Sequence, residues 1–209
     1  MYLTSTLHPA RILRAGYAYE PAQIEYLRRA RELVEAVGRG EPVTVIDVTQ
    51  PPPNSVGKPN LVDLAYFRGG DFTQGVAVDV EAAGDILRGI GFTRVADLHS
   101  LWCPFWRVGG AHYWLTRAQA RAAVAWCDEL LGNPTITKVF HNGINYDIPV
   151  QLVDAGFAVA GPIVDTMLLA HVHQPEMPKG LAWLATAHLG YPTWKYLSKQ
   201  AAEVDDDVG

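Results

Sequence analysis

The stretch GVAVDVEAAGDILRGIGF, residues 75–92, decides how this chain is read. Val76, Val78 and Val80 alternate with Ala77, Asp79 and Glu81, the period of a strand with one apolar face. AlaAlaGlyAsp at 82–85 supplies a turn, residues 86–95 a second strand and residues 96–102 a third. Three consecutive strands with short connections predict an antiparallel meander. The period of two puts the carboxylates of Asp79 and Glu81 on one face, where two like charges are costly unless a cation offsets them. A plain solvent-facing acidic edge is the competing reading. Against it stand the position of both acids at the strand's end, the turn that follows at once, and the small or apolar residues that precede them.

Working outward, Thr116 suits an N-cap for a helix over 117–131, with Ala120, Ala123, Val124, Cys127, Leu130 and Leu131 on one side and Gly132 as the stop. A strand over 136–140, a helix over 146–155 closed by Gly156, a strand or strand-to-helix junction over 162–169 and a helix over 180–189 follow. The order βββαβαβα predicts an α/β fold, a mixed sheet flanked by helices. Upstream, Ile24, Leu27, Ala30, Leu33 and Val34 recur at helical spacing, predicting a helix over 20–37. A short strand over 43–48 and the linker-like PPPNSVGKPN at 51–60 come next. The chain then divides into 1–40, a linker with its lead-in strand over 41–74, a main domain over 75–200, and an acidic, solvating tail over 201–209.

The second informative stretch is KVFHNGINYDIPVQL, residues 138–152. An apolar strand ends at His141 and Asn142, Gly143 turns the chain, and Asp147 falls in the first turn of the next helix, where the helix dipole favours an anion. A carboxylate there is ordinarily a helix cap. An Asp-x-Glu strand upstream turns the balance toward a shared acidic site. Asp165 in VDTM is read as structural, His171 and His173 as surface histidines, and the Trp-rich 101–114 as core and rim with stacking of single-stranded bases as its alternative.

Composition narrows the partners. Of 209 residues, 17 are Lys or Arg and 22 are Asp or Glu, a net charge of −5, so no bulk positive field holds nucleic acid and any phosphate must be met locally. Cys103 and Cys127 are too few for a disulfide scaffold and read as reduced, buried thiols. No apolar run approaches the roughly 18 residues of a membrane span, and the start lacks the order of a secretory signal, so the expectation is a cytoplasmic protein with no membrane partner.

Together VAVDVEAAG, DILRGIGF, HNGINYD and VDTMLLAHVHQPEMPKGLAWLATAHLGYPTWK, in that order over about residues 75–195, resemble the DEDD-type 3′–5′ exonuclease domain, particularly that of family A DNA polymerases from bacteriophages. The resemblance implies a ribonuclease H-like fold and a two-metal phosphodiesterase. Asp79, Glu81 and Asp147 would bind two Mg²⁺ or Mn²⁺ ions, and Asn142 and Tyr146 would position the terminal nucleotide or support the ligands by hydrogen bonds. Metals would also invert the local field, letting an acidic protein hold phosphate. The family's third motif, Tyr or His followed four residues later by Asp, is not met: Tyr196 leads to Gln200, His171 to Pro175 and His188 to Pro192. The sequence is accordingly expected to be a truncated or split exonuclease. TSTLHPARILR and the helix after it resemble the closing segment of a family 4 uracil-DNA glycosylase, with His8 at the loop histidine and no glycosylase activity expected. Three functions follow: an exonuclease on single-stranded DNA 3′ ends in replication or repair, beside a polymerase or replisome protein in a bacterial or phage-infected cell; a non-catalytic DNA-binding or assembly module; and a 3′–5′ exoribonuclease.

Overall fold

The structure is a computed structural model that describes residues 54–107 and 109–189, together with 34–41 and residues 28, 31 and 32. It divides into two compact units, Pro52–Leu169 and a second made of Met1–Pro51 with Ala170–Gly209. The strand expected over 43–48, His8 with the segment around it, Tyr196 and the acidic tail lie outside the described residues. Of the helix expected over 20–37, residues 28, 31, 32 and 34–37 are described and helical, and Arg31 donates from Nε to Glu35 at 2.6 Å.

In the first unit the elements run β1 (Ser55–Val56), α1 (Leu61–Arg68), β2 (Val76–Ala83), β3 (Ile86–Arg94), β4 (Ser100–Pro104), α2 (Arg117–Gly132), β5 (Lys138–Phe140), a π-helical turn (Asp147–Leu152) and β6 (Ile163–Asp165). α3 (Thr166–His173) follows directly, and α4 (Leu181–Leu189) belongs to the second unit. The six strands form one sheet in the order β1-β4-β3-β2-β5-β6. β2, β3 and β4 pair antiparallel, as the meander requires, while β1 on β4, β5 on β2 and β6 on β5 are parallel. The sheet is therefore mixed and flanked by helices, the α/β architecture expected. No helix among the described residues is long and apolar enough to cross a membrane.

Several expectations need correcting. The proline-rich 51–60 is more than linker: Ser55 and Val56 form the edge strand, and Asn60 caps α1 through a reciprocal box with Asp63. α1 adds a further element: six of its eight residues are apolar with no clear helical stripe, and only Leu64 and Phe67 of them are buried. The third strand begins at Ser100, not at 96, since Asp97 accepts from the Arg94 guanidinium and holds 95–98 in a turn. On α2 the buried side chains are Ala123, Trp126, Cys127, Leu130 and Leu131, whereas Val124 is exposed. Helix 146–155 is a six-residue π-helical turn, Asp147–Leu152.

The period of two sorts the meander into two faces. One carries Val76, Val78, Ile90, Phe92, Leu101 and Cys103, all buried, under α1 and α2. There Phe67, Phe92 and Trp126 meet edge to face, Phe92 and Trp126 at 5.2 Å and 89°. Each such fully buried large side chain contributes about 2–3 kcal/mol of burial free energy. Cys103 and Cys127 are free thiols in this layer, and burial with a thiol–thiol hydrogen bond pushes Cys127 well up. The opposite face holds Ala77, Asp79, Glu81, Gly89, Gly91, Thr93, Ser100 and Trp102, because residues paired across antiparallel strands point the same way. Nothing large except Trp102 stands on it.

Candidate active site

Asp79 and Glu81 stand on this second face near the end of β2, and a register irregularity between Glu81 and Ala82 marks where the regular strand gives out. Both side chains reach solvent. Asp79 is nevertheless hemmed in by protein, and desolvation raises its carboxyl above the ordinary range against the pull of the Val80 N–H. Glu81 is raised as well, by desolvation and then by the Asp79 charge, with Arg88 on β3 opposing. Arg88 escaped the sequence reading, since strand alternation by itself puts it on the face opposite to Gly89, the partner of Glu81.

Asp147 arrives from the other neighbour of β2, the strand β5 on the side away from β3. β5 lies parallel to β2, so its C-terminal end brings the following loop alongside the acids. Gly143 is needed here because a Cβ would sit 2.3 Å from the Phe140 Cβ, and Asn142 takes a left-handed backbone, φ 66°. The loop is pinned by Asp165, whose carboxylate accepts from the N–H groups of Asn142 (3.0 Å), Ile144 (3.2 Å), Met167 (2.9 Å) and Leu168 (3.4 Å). Burial would raise Asp165, yet these four donors hold it below the usual carboxylate range. It is structural, as expected, and it doubles as the cap of α3.

So positioned, Asp147 is 7% exposed and carries no N-cap role, since no side chain caps the π-helical turn. Its carboxyl is pushed up to about 6, first by desolvation, then by the charges of Asp79 and Asp165, and least by Glu81. The three acids expected to act together thus lie within one another's fields. Among the described residues, Arg88 is the one cation that opposes any of the three shifts. Among the described residues no three His, Cys, Asp or Glu side chains are gathered tightly enough to cage a metal ion. The donor chemistry still fits a hard divalent cation: oxygen ligands only, mutually destabilised when ionised, and short of positive charge.

The two remaining expected residues sit on the same loop. Tyr146 is half exposed and its hydroxyl accepts from Gln151 Nε2 at 3.3 Å. Asn142 Oδ1 accepts from Asn145 Nδ2 at 3.4 Å. Among the described residues no side-chain hydrogen bond joins either of them to Asp79, Glu81 or Asp147. His171 and His173 are exposed on α3, in line with a surface role.

Comparison with known proteins adds a family profile and several structures. The profile of the 3′–5′ exonuclease family matches residues 73–208. No curated protein matches the chain. Among solved structures it is similar to a nuclease in its apo form (18% identity, 68% of this chain and 60% of that one, TM-score 0.46). It is also similar to Brucella melitensis NrnC with bound Mg²⁺ (20%, 65% and 60%, TM-score 0.41) and to Trypanosoma brucei RNase D (15%, 67% and 48%, TM-score 0.46). The alignment thus spans less than two thirds of the length of each of these relatives.

Proposed function

The chain belongs to the 3′–5′ exonuclease family, and from that premise we propose that it hydrolyses the last phosphodiester at the 3′ end of single-stranded DNA. The observation that carries this reading is the electrostatic one: Asp79, Glu81 and Asp147 are all held above the ordinary carboxylate range, Glu81 and Asp147 partly by neighbouring acids of the set. Such a set gains most from divalent cations.

The proposed cofactor is a pair of Mg²⁺ or Mn²⁺ ions held by Asp79, Glu81 and Asp147. When bound, they supply an activated water and charge stabilisation for the leaving 3′ oxygen. Mg²⁺ sites commonly use one or two carboxylates and complete the shell with water and substrate phosphate, so a ready-made cage is not required. Asp147 must be ionised to serve, so its pKa of about 6 makes metal binding weaken as pH falls through that range. Asn142 and Tyr146, on the loop pinned by Asp165, are proposed to position the terminal nucleotide. The ribonuclease H-like sheet supplies the platform: β2 and β5 run parallel and deliver their acids at the same end.

The test is release of nucleotides from a 5′-labelled single strand in Mg²⁺ or Mn²⁺. The double change Asp79→Ala and Glu81→Ala is expected to abolish it, by at least about a hundredfold given the size of metal contributions. Unchanged activity sinks the assignment. A second reading, a non-catalytic DNA-binding module, is favoured by acids that are near but not gathered; strand binding without nucleotide release would establish it. Matched DNA and RNA oligomers decide between a deoxyribonuclease and an exoribonuclease. A role beside a polymerase or replisome protein, a phage setting, and residues 1–40 as a glycosylase remnant belong to the same proposal and are carried by the sequence resemblance alone.

A further inference from the structure

The acidic face continues sideways. Asp79 pairs with Gly91 and Glu81 with Gly89 across β2 and β3, and Gly91 pairs in turn with Trp102 on β4. The six-membered ring of the Trp102 indole lies over this glycine track. A Cβ at Gly89 would come 2.5 Å from its Cζ2 and 2.8 Å from its Cη2, and one at Gly91 3.8 Å from its Cε3. Two strand spacings, about 10 Å, separate the Trp102 row from the acids. The same indole lines a cavity of about 610 Å³, whose wall continues through Trp106, Tyr113 and Trp114.

The lining is selective in charge. Lys58 and Arg107 are its charged side chains, and no Asp or Glu lines it, in a chain whose net charge is −5. Arg107 is held at the rim by the Tyr113 ring, 5.8 Å from its centroid, with one donor engaged by the Tyr113 carbonyl and the others in hand. Tyr113 is fixed by its hydroxyl donating to the Pro59 carbonyl at 2.9 Å. Trp114, 7% exposed, has an indole N–H with no hydrogen-bond partner among the described residues.

We infer that this cavity is a base-binding subsite for the strand upstream of the 3′ terminus. An unpaired nucleobase enters between the rings that begin at Trp102, and its phosphate meets Lys58 and Arg107. The inference rests on the exonuclease reading for its direction along the strand, but the binding itself does not depend on hydrolysis. Aromatic walls suit any base because every base has a π-face, while the two cations match the backbone.

The test uses the full chain and a fluorescein-labelled oligothymidylate of about twelve nucleotides, within the usual single-strand site range. Binding is measured in EDTA, and hydrolysis of the same oligomer and of the dinucleotide pdTdT in Mn²⁺. Trp106→Ala is expected to weaken oligomer binding about tenfold, the loss of one stacking contact. Lys58→Gln, at an exposed position, is expected to weaken it a few-fold and to lower the slope of log K against log salt by about 0.7. Cleavage of pdTdT, too short to span from the acids to the cavity, keeps its wild-type rate in both. Should Trp106→Ala fail to fold, Lys58→Gln decides by its salt slope. Oligomer affinity and salt slope unchanged in the folded variants, or a wild-type chain that does not bind the oligomer, overturns the inference. If binding responds as expected and no nucleotide is released by the wild type, the subsite stands and the exonuclease reading falls.

Discussion

At the scale of single residues, Asp147 and Asp165 show how the same side chain is set to opposite tasks by its surroundings. Asp165 is 4% exposed and faces four backbone N–H donors, so its charge is satisfied and its pKa falls. Asp147 is 7% exposed, and desolvation first, then the neighbouring carboxylates, push its pKa up to about 6. A folded-state pKa above the unfolded value means that stability is fully present below about pH 4 and is lost as pH rises through about 6. Asp147→Asn removes that loss. The metal-free variant is therefore expected to match the wild type at about pH 4 and to be more stable by about 1–2 kcal/mol at about pH 7.5, after allowance for solvent screening. Urea unfolding at the two pH values checks it; an advantage that is equal at both, or reversed, contradicts the charge argument.

At the scale of elements, β3 does two things that pull against each other. Its even-numbered side chains Ile90 and Phe92 fill the core, which calls for bulk, while its other face must stay bare beneath Trp102. Gly89 and Gly91 answer this, although glycine in a strand interior costs conformational entropy. They differ in how tightly they are covered. A Cβ at Gly89 would also meet the Cys103 carbonyl oxygen at 2.7 Å, backbone that cannot swing away, whereas at Gly91 the nearest atom is the Asp79 carbonyl oxygen at 3.6 Å, ordinary contact. Gly89→Val is thus expected to destabilise by about 2–3 kcal/mol, and Gly91→Ala by less than about 1 kcal/mol. Equal costs in chemical denaturation would show that Trp102 does not rest where the geometry places it. The cap of α2 follows the sequence closely: Thr116 and Gln119 form the reciprocal box that satisfies two otherwise orphaned donors.

At the scale of the molecule, the mixed sheet brings together acids that are far apart in the chain, 79 and 81 from β2 and 147 from the turn after β5. Their mutual repulsion is a standing cost that a bound cation removes. Metal binding must then displace the proton shared out near pH 6, so affinity climbs with pH. Mn²⁺ is expected to raise the melting temperature of the full chain clearly at about pH 7.5 and little at about pH 5.5, with EDTA reversing the rise. The Asp79→Ala and Glu81→Ala double variant should show no rise at either pH. A rise independent of pH would place the metal elsewhere than on these acids.

Much was legible in the chain itself. The alternation at 76–81 fixes which face β2 buries, the turn at 82–85 and the run after it pair β3 with it, and Thr116 starts α2, because each is a local pattern of period, turn or cap. The pairing of Asp79 and Glu81 on one face follows from the same period, whereas Asp147 could be named only beside that pair and through the family resemblance. The edge strand β1 and the helix α1 could not be read, and the helix expected over 146–155 proved a shorter π-helical turn, since two, eight or six residues carry too little periodicity to fix an element by themselves. Only the tertiary structure decided that Asp165 spends its charge on backbone donors, that Asp147 keeps its own unsatisfied, and that Trp102 joins the acidic face to a cationic, aromatic cavity. A pKa and a cavity are made by what surrounds a side chain, and those neighbours come from strands and loops that the linear order keeps far apart.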